Sequence, residues 1–235
     1  MTPESLVIIP TYNERDNVRE LILQIFNSYK ELSILVVDDN SPDQTAKAVE
    51  ELQKKYSQLH LLRRHAKTGL GRAYVDGISW ALARDYKVII EMDADHSHRV
   101  VDLGQLLANL RSDVDFVVGS RWVKGGGILN WSWFRRFLSL GGNLYVAILL
   151  GRAFADWTGG FNVWRSHVLR KMDLSTLEAQ GYSFQIELKY RALRLNFFGI
   201  EVPIIFEERR TGQSKMSPQI VVEALIQVWR LKSKF

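Results

Sequence analysis

Residues 88–95 read VIIEMDAD, a short apolar run that ends in two carboxylates separated by a single residue. Such a run, over 88–92, predicts a strand that is buried on both faces. Residues two apart in an extended backbone share a face, so we expect Asp93 and Asp95 to point the same way. Two neighbouring anions repel each other, and a cation, a basic partner or a shared proton relieves that repulsion.

A metal ion is one such cation. Mg²⁺ and Mn²⁺ prefer oxygen ligands, and magnesium sites commonly combine one or two carboxylates with substrate phosphates. Asp93 and Asp95 therefore favour a clamp for a metal and a diphosphate, with Ser97 or a nearby histidine as a further ligand or as a partner of bound water. The alternative is a solvated turn after the strand, and we expect His96 and His98 to be exposed loop histidines rather than ligands.

The chain on either side of this strand alternates between apolar runs and helical periodicity. Further strands are predicted at 5–9, 34–37, 60–62 and 115–118, and helices at 13–29, 45–56, 71–85 and 100–110. This alternation predicts an α/β fold with a mostly parallel central sheet covered by helices on both faces. The polar segments PTYNE, DDNSPD and DAD each follow a strand. Such sheets bind ligands beyond the carboxyl ends of their strands, so we expect one site at that edge.

The segment DDNSPD, residues 38–43, supports two interpretations. A carboxylate at the end of a strand can accept hydrogen bonds from a nucleobase or from ribose hydroxyls. Residues 40–43 are all turn formers, so a turn followed by a helix cap is the competing interpretation. Both hold together if Asp43 caps the helix and Asp39 faces the ligand.

The pattern changes after residue 120. A glycine-rich loop at 124–127 precedes an aromatic, basic and apolar stretch at 131–151, and a helix at 183–195, a strand at 199–206 and a helix at 218–231 follow. No linker separates two independent units. We therefore predict a single domain over 1–235, in which the second half, 121–235, completes the site that the first half, 1–120, carries.

Composition excludes several classes of protein. Apolar residues make up 46% of the chain and charged residues 24%, which is an ordinary globular mix. Cysteine is absent, so disulfides and thiolate metal sites are excluded. We expect neither a signal peptide nor a transmembrane helix, because no apolar run is long enough. The formal charge of +5 fits either a solvated basic face or anionic partners.

The stretch WSWFRRFL at 131–138, followed by LYVAILL at 144–150, combines aromatic rings with arginines. This combination is typical of a helix that lies in a membrane interface, although a helix buried in the core is the alternative. If the stretch is helical, Arg135 and Ser139 share a face and suit a phosphate. The last helix, with its basic end, suits membrane docking, contact with a separate membrane subunit, or plain core packing.

The motifs PTYNE, VVDDNSPD, KTGLGRAY, EMDADHSH and GSRW occur in this order in the first half of the chain, and RRFLS, WTGGFNVWR, GYSFQIE and EVPIIFEERRTGQSKM follow in the second. Together they resemble an inverting glycosyltransferase of the GT-A (Rossmann-like) fold, and specifically the dolichol-phosphate (polyprenol-phosphate) mannose synthases. The resemblance covers nearly the whole chain. It implies transfer of mannose from GDP-mannose to a polyprenyl monophosphate.

The resemblance also implies roles for particular residues. The implied donor-binding residues are Pro10, Tyr12, Glu14, Val37, Asp39, Asp93, Ala94, Asp95, Arg209 and Lys215. Asp93, Asp95 and Ser97 would hold Mg²⁺ or Mn²⁺, although some family members carry glutamine at the position of Ser97. Arg121, Arg135 and Ser139 would meet the acceptor phosphate. The implied catalytic residues are Asp95, Arg121, Arg209 and Lys215.

Some of these side chains also suit particular steps of the transfer on chemical grounds. Arg209 and Lys215 suit the charge that develops on the departing nucleotide, and the glycine and serine between them allow a lid, with a basic surface loop as the alternative. The acceptor phosphate is largely dianionic at neutral pH and needs no strong general base. Gln185 and Glu187 suit sugar hydroxyls or a structural helix face equally well.

Three other functions are open at this point. The enzyme could use the same lipid with another donor, such as UDP-glucose, or it could be a soluble transferase that acts on a polysaccharide or a protein. The chain could also be a scaffold subunit that binds nucleotide-sugar without turnover. We expect a peripheral enzyme on the cytoplasmic face of a membrane, with GDP-mannose and polyprenyl or dolichyl phosphate as substrates and no nucleic-acid partner.

Overall fold

The computed structural model describes residues 4–177, 182–208 and 218–234, without the side chains of Tyr182 and 218–224. The strands are β1 Ser5–Thr11, β2 Ser33–Asp38, β3 Leu59–Arg63, β4 Val88–Glu91, β5 Phe116–Ser120, β6 Gly127–Ile128, β7 Asn162–Arg165, β8 Gly199–Pro203 and β9 Ile205–Phe206. The α-helices are α1 Arg15–Ser28, α2 Thr45–Gln53, α3 Leu70–Leu82, α4 Val100–Ala108, α5 Trp133–Leu150, α6 Ser166–Lys171, α7 Tyr182–Arg194 and α8 Pro218–Lys234.

Within the part of the chain that the structure describes, the central sheet has seven strands in the order β3-β2-β1-β4-β7-β5-β8. All neighbouring strands are parallel except at β7, which runs antiparallel to both β4 and β5. The predicted α/β fold with a mostly parallel sheet is therefore confirmed. The parallel ladders bring the carboxyl ends of β1, β2 and β4 to one edge, where the three polar segments lie.

Alternation along β1 and β2 divides the core into two layers. Leu6 and Ile8 pack on one side of the sheet with α3, α6 and α7, whereas Val7 and Ile9 pack on the other with α1 and α4. Successive side chains of a strand point to opposite faces, so a strand buried on both faces must be apolar throughout. Residues 6–9 and 34–37 meet this requirement.

Three details differ from the prediction. β1 continues through Pro10 to Thr11, because its ladder to β4 ends at Ile8 and the missing amide of proline costs no bond on that side. The single strand predicted at 199–206 is split into β8 and β9, and β9 pairs with β6 at the end of the glycine-rich loop. Strand β7 was not predicted, although it lies in the middle of the sheet.

Candidate active site

The ends of β1 and β2 form the expected nucleotide side of the site. Pro10 pairs with Val37 in the ladder, and the Asp39 amide donates to the Thr11 carbonyl at 3.0 Å. The exposed edge next to them carries Tyr12, whose ring lies 3.8 Å below the Lys67 ammonium. Four of the predicted donor-binding positions are thereby brought together.

Asp39 forms an ion pair with Arg64, which follows β3. Burial raises the pKa of the Asp39 carboxyl, and Arg64 acts in the opposite direction. Arg64 also donates to Asp76 and to Thr68, so it is anchored from three sides. The sequence reasoning missed Arg64, which fixes the position of the carboxylate expected to face the ligand.

Asp38 and Asp43 accept hydrogen bonds within their own turn and at the start of α2. The Asp38 carboxylate accepts bonds from Thr11 at 2.9 Å and from the hydroxyl and amide of Ser41. Asp43 accepts a bond from the Thr45 amide at 3.0 Å in the first turn of α2. Gln44, not Asp43, occupies the cap position, and its side chain makes no capping bond, so Asp43 only bonds the first helical amide from one residue earlier than the cap. Asp39 is left as the carboxylate for a ligand.

Glu14 lies just before α1, at the same edge. Its amide donates to the Thr45 hydroxyl at 3.2 Å, and its carboxylate accepts a bond from Asn17 at 2.7 Å. These contacts join the PTYNE segment to the start of α2. The role of Glu14 toward a nucleotide stays a prediction.

The DAD segment follows β4 and is held by side chains on both sides. Asp93 accepts a bond from the Tyr74 hydroxyl at 3.1 Å, and its amide donates to Nδ1 of His98 at 3.1 Å. Asp95 is 5% exposed and accepts bonds from both the amide and the hydroxyl of Ser97, the latter at 2.5 Å. Ser97 thus orients Asp95 directly, and its role as a metal ligand stays a prediction. Ala94, between the two acids, is buried.

Both histidines of this segment are buried, contrary to the expectation of exposed loop histidines. His98 stacks on Phe161 at 4.8 Å between ring centroids and makes an edge contact with Phe206 at 5.6 Å. Burial lowers the pKa of His98, so the ring is neutral near pH 7, with Nδ1 as the acceptor for Asp93. His96 adopts a positive φ of 61° at the tight turn between the acids and α4.

These residues fit a hard divalent cation in their chemistry. Asp93 and Asp95 supply carboxylate oxygens, the ligands that Mg²⁺ and Mn²⁺ prefer. Within residues 4–177, 182–208 and 218–234, no three acidic, histidine or cysteine side chains form a closed metal cage. A site with two carboxylates leaves coordination positions for substrate phosphates, which is how magnesium is usually held beside a diphosphate.

Arg121 follows β5 and is nearly buried. Its Nε and Nη2 donate to the two oxygens of Asp156 at 2.7 Å each, and Nη2 also donates to the Thr158 hydroxyl at 2.7 Å. Burial alone would raise the pKa of the Asp156 carboxyl, but the paired Arg121 holds it below its usual value. The sequence reasoning missed Asp156, whose only signal was an acid next to the WTGG segment.

A single aromatic ring joins the two predicted phosphate arginines. The guanidinium carbon of Arg135 lies 4.0 Å from the Trp131 ring centroid, and that of Arg121 lies 5.5 Å from it. Trp131 contacts Phe206, which in turn contacts His98 behind the DAD segment. A continuous series of rings therefore connects the acidic pair to the two arginines.

Helix α5 carries the third predicted phosphate residue. Ser139 is half-buried one turn after Arg135, and its carbonyl accepts a bond from the Asn143 amide group at 2.9 Å. Of the 18 residues in α5, only Asn143 and Val146 are buried. The alternative of a helix buried in the core is therefore wrong.

Gln185 and Glu187 lie on the buried side of α7. Gln185 donates to Glu91 at 3.2 Å and accepts a bond from Asn162 at 2.8 Å, while Glu187 forms a buried ion pair with Arg191. These contacts support the structural interpretation of that helix face. Gln185 also lies beside Gly160, close to Asp93.

Arg209 and Lys215 lie outside the described residues.

Comparison with known proteins adds the family. The model of glycosyl transferase family 2 matches residues 6–177. The chain is 43% identical to a polyprenol monophosphomannose synthase from Mycolicibacterium smegmatis, over 99% of this chain and 89% of that protein. It is also 43% identical to an undecaprenyl-phosphate mannosyltransferase from Micrococcus luteus, over 96% of this chain and 92% of that protein.

A solved structure supports the fold. A mannosyltransferase from Pyrobaculum calidifontis, in complex with GDP-Man and Mn²⁺, superposes with a TM-score of 0.62 at 17% identity, over 98% of this chain and 70% of that one. This likeness confirms the GT-A fold that the motifs imply. The sequence match over most of the chain carries the classification: the chain belongs to glycosyl transferase family 2.

Proposed function

We propose that this glycosyltransferase moves mannose from GDP-mannose to a polyprenyl monophosphate, with inversion at the anomeric carbon. One observation carries the proposal: the acidic pair after β4 and the arginines 121 and 135 are joined by a continuous series of aromatic contacts. The site thus offers carboxylates for a metal-bound donor next to cations for a second phosphate. The names of the two relatives at 43% identity support the same acceptor and sugar.

Different residues of the site bind the donor and the acceptor. Asp39, anchored by Arg64, accepts hydrogen bonds from the nucleoside, and Asp93 and Asp95 are the residues that would hold Mg²⁺ or Mn²⁺ for the diphosphate. The bound cation would neutralise charge that develops on the departing nucleotide. Arg121 and Arg135 position the acceptor phosphate, whose oxygen is already anionic near pH 7. Attack from the side opposite the leaving group gives a β-linked product from an α-linked donor.

Helix α5 supports a membrane surface as the place of reaction. Its exposed apolar side chains include Trp133, Phe137, Leu144 and Ile148, which are 79, 65, 56 and 65% exposed. Helix α8 contacts α5 through the bond from Tyr145 to the Leu225 carbonyl, and it adds the exposed Ile226 and Trp229. None of the described helices is long and apolar enough to cross a bilayer. We therefore propose peripheral docking at a cytoplasmic membrane face, directly or beside a separate membrane subunit.

One assay tests the reaction. Purified protein is given labelled GDP-mannose or UDP-glucose, a short polyprenyl phosphate, and Mg²⁺, Mn²⁺ or a chelator. We expect a lipid-extractable product from GDP-mannose only, abolished by the chelator and by Asp95→Ala. Exclusive use of UDP-glucose, or full turnover without lipid phosphate, would contradict the proposal.

Vesicle sedimentation tests the surface. We expect the protein to sediment with vesicles that contain anionic lipid, and Phe137→Glu to reduce the bound fraction severalfold. Val101→Glu is the matched control, because Val101 on α4 is 70% exposed and lies on another helix. Equal losses from both variants would contradict docking through α5.

A further inference from the structure

The segment 155–159, between α5 and β7, is held by three side chains from three separate elements. Glu201 on β8 accepts bonds from the amides of residues 155 and 156 at 2.8 and 2.9 Å. Asn143 on α5 accepts bonds from the amides of residues 157 and 158 at 2.7 and 3.3 Å. Lys189 on α7 donates to the carbonyls of residues 156, 157 and 159 at 3.3, 3.0 and 2.7 Å.

Burying the Lys189 ammonium costs desolvation free energy, so we expect Lys189 to do more than fill space in the core. Its side chain is fully buried, and burial lowers the pKa of its ammonium to about 8. A buried charge is retained where it has partners, and here the nearest partners are backbone carbonyls of one short segment. An apolar side chain would have filled the same volume without the desolvation cost.

The segment presents its two polar side chains to one group. Both carboxylate oxygens of Asp156 accept hydrogen bonds from the Arg121 guanidinium, and the Thr158 hydroxyl accepts a further bond from the same group. The Thr158 hydroxyl also lies 3.4 Å from the Asn143 amide group, which bonds the Ser139 carbonyl. A network of hydrogen bonds therefore runs from Ser139 on the exposed helix to Arg121.

We propose that the segment 155–159 is a preorganised seat for Arg121, and that Thr158, Asn143, Lys189 and Glu201 are positioning residues for the acceptor phosphate. This inference rests on the proposed function, in which Arg121 meets that phosphate. Asp156 fixes the plane of the guanidinium, and the three anchors fix Asp156. Such fixed geometry lets the arginine bind a phosphate without first losing side-chain freedom.

The pair Thr158→Val and Thr158→Ser tests the seat. Valine matches threonine in shape but lacks the hydroxyl, whereas serine keeps it. We expect the valine variant to raise KM for a short polyprenyl phosphate about two- to tenfold, the range expected when a side chain must be ordered on binding. KM for GDP-mannose should stay near that of the wild type and the melting temperature should fall by only a few degrees, whereas the serine variant should restore most of both the acceptor KM and the stability.

Thr176→Val is the matched control, because the Thr176 hydroxyl also accepts a bond from a buried arginine, Arg191, at 2.7 Å. That pair lies outside the seat, so the control should leave both KM values unchanged. An acceptor KM equal to that of the wild type in Thr158→Val would overturn the inference. An equal rise in the KM for GDP-mannose would overturn it too, because the effect would then not be specific to the acceptor. If the wild type makes no lipid-linked product, the proposed function fails, and the inference fails with it.

Lys189→Met supplies a second, harsher measurement. If the variant folds, we expect the acceptor KM to rise by more than in Thr158→Val, with a smaller change in donor KM. If it does not fold, the Thr158 pair decides the question alone, since those variants leave all three anchors in place.

Discussion

Replacing Asp156 with asparagine should destabilise this protein more than any single surface change. Asp156 is completely buried, and Arg121 is 6% exposed. Both carboxylate oxygens accept bonds from the guanidinium at 2.7 Å, so the amide nitrogen of an asparagine would face a donor in either orientation. The substitution keeps the volume and removes the charge, leaving two buried cations, Arg121 and Lys189, with one anionic partner fewer.

The magnitude follows from the burial of the pair. Breaking a buried ion pair by removing one partner costs about 3–5 kcal/mol, because the other charge remains desolvated. For a chain of this size that corresponds to a fall in the melting temperature of roughly 6–20 °C. Replacing both partners with apolar residues, as in Arg121→Met with Asp156→Leu, should recover much of the lost stability while acceptor binding stays impaired.

Urea denaturation followed by tryptophan fluorescence measures this cost, with Trp157 adjacent to the substituted residue. Asp113→Asn is the control, because Asp113 pairs with Arg111 at 3.4 Å on the exposed surface and should lose less than about 0.5 kcal/mol. A loss below about 1 kcal/mol for Asp156→Asn would refute the reasoning. So would a double variant that is less stable than the single one.

Three further predictions concern other sites. Tyr74→Phe removes the hydroxyl that bonds Asp93, and we expect kcat to fall severalfold with a stability loss of about 1 kcal/mol, measured by steady-state kinetics and urea denaturation. The pKa of Lys189 is about 8 in the folded protein and 10.5 in the unfolded chain, so the unfolded chain binds more protons between these pH values. The free energy of unfolding of the wild type, minus that of Lys189→Met, should therefore rise by on the order of 3 kcal/mol from pH 8 to pH 10.5. Urea titrations at these pH values measure it. Gly199→Ala places a methyl group 2.3 Å from the Phe116 ring and should cost about 1–3 kcal/mol or more by the same measurement.

Each of these has an outcome that would contradict it. Unchanged kcat in Tyr74→Phe would show that the hydroxyl does not orient the carboxylate. A stability difference that falls across the alkaline range would mean that Lys189 is not titrating as a buried base. For the glycine, Gly141→Ala is the control, because a methyl group there meets nothing within 4 Å and alanine favours a helix interior. A Gly199→Ala variant as stable as this control would contradict the predicted clash.

Local pattern determined most of the elements and the acidic half of the site. Residues 6–9, 34–37 and 88–90 are apolar throughout because their strands are covered on both sides, so their positions and the edge that carries Asp39, Asp93 and Asp95 could be predicted. Parallel strands bring their carboxyl ends to one edge by geometry alone. The bond that Asp43 accepts at the start of α2 followed from turn chemistry in the same way.

Strand β7 could not be predicted, because its antiparallel place between β4 and β5 depends on long-range pairing. That pairing has a functional consequence. An antiparallel strand starts at the edge where its neighbours end, so the segment before β7 arrives beside the carboxyl end of β5 and brings Asp156 to Arg121. The burial of His98 and Lys189 arose from the same packing.

The sequence by itself thus determined which residues carry charge and which strands end in acids, because periodicity and turn chemistry act over a few residues. Only the tertiary structure decided which arginine is held, by which carboxylate, and at which edge. Partners such as Asp156 and Arg121 are 35 residues apart in the chain. Their contact depends on strand order and direction, which no local pattern contains.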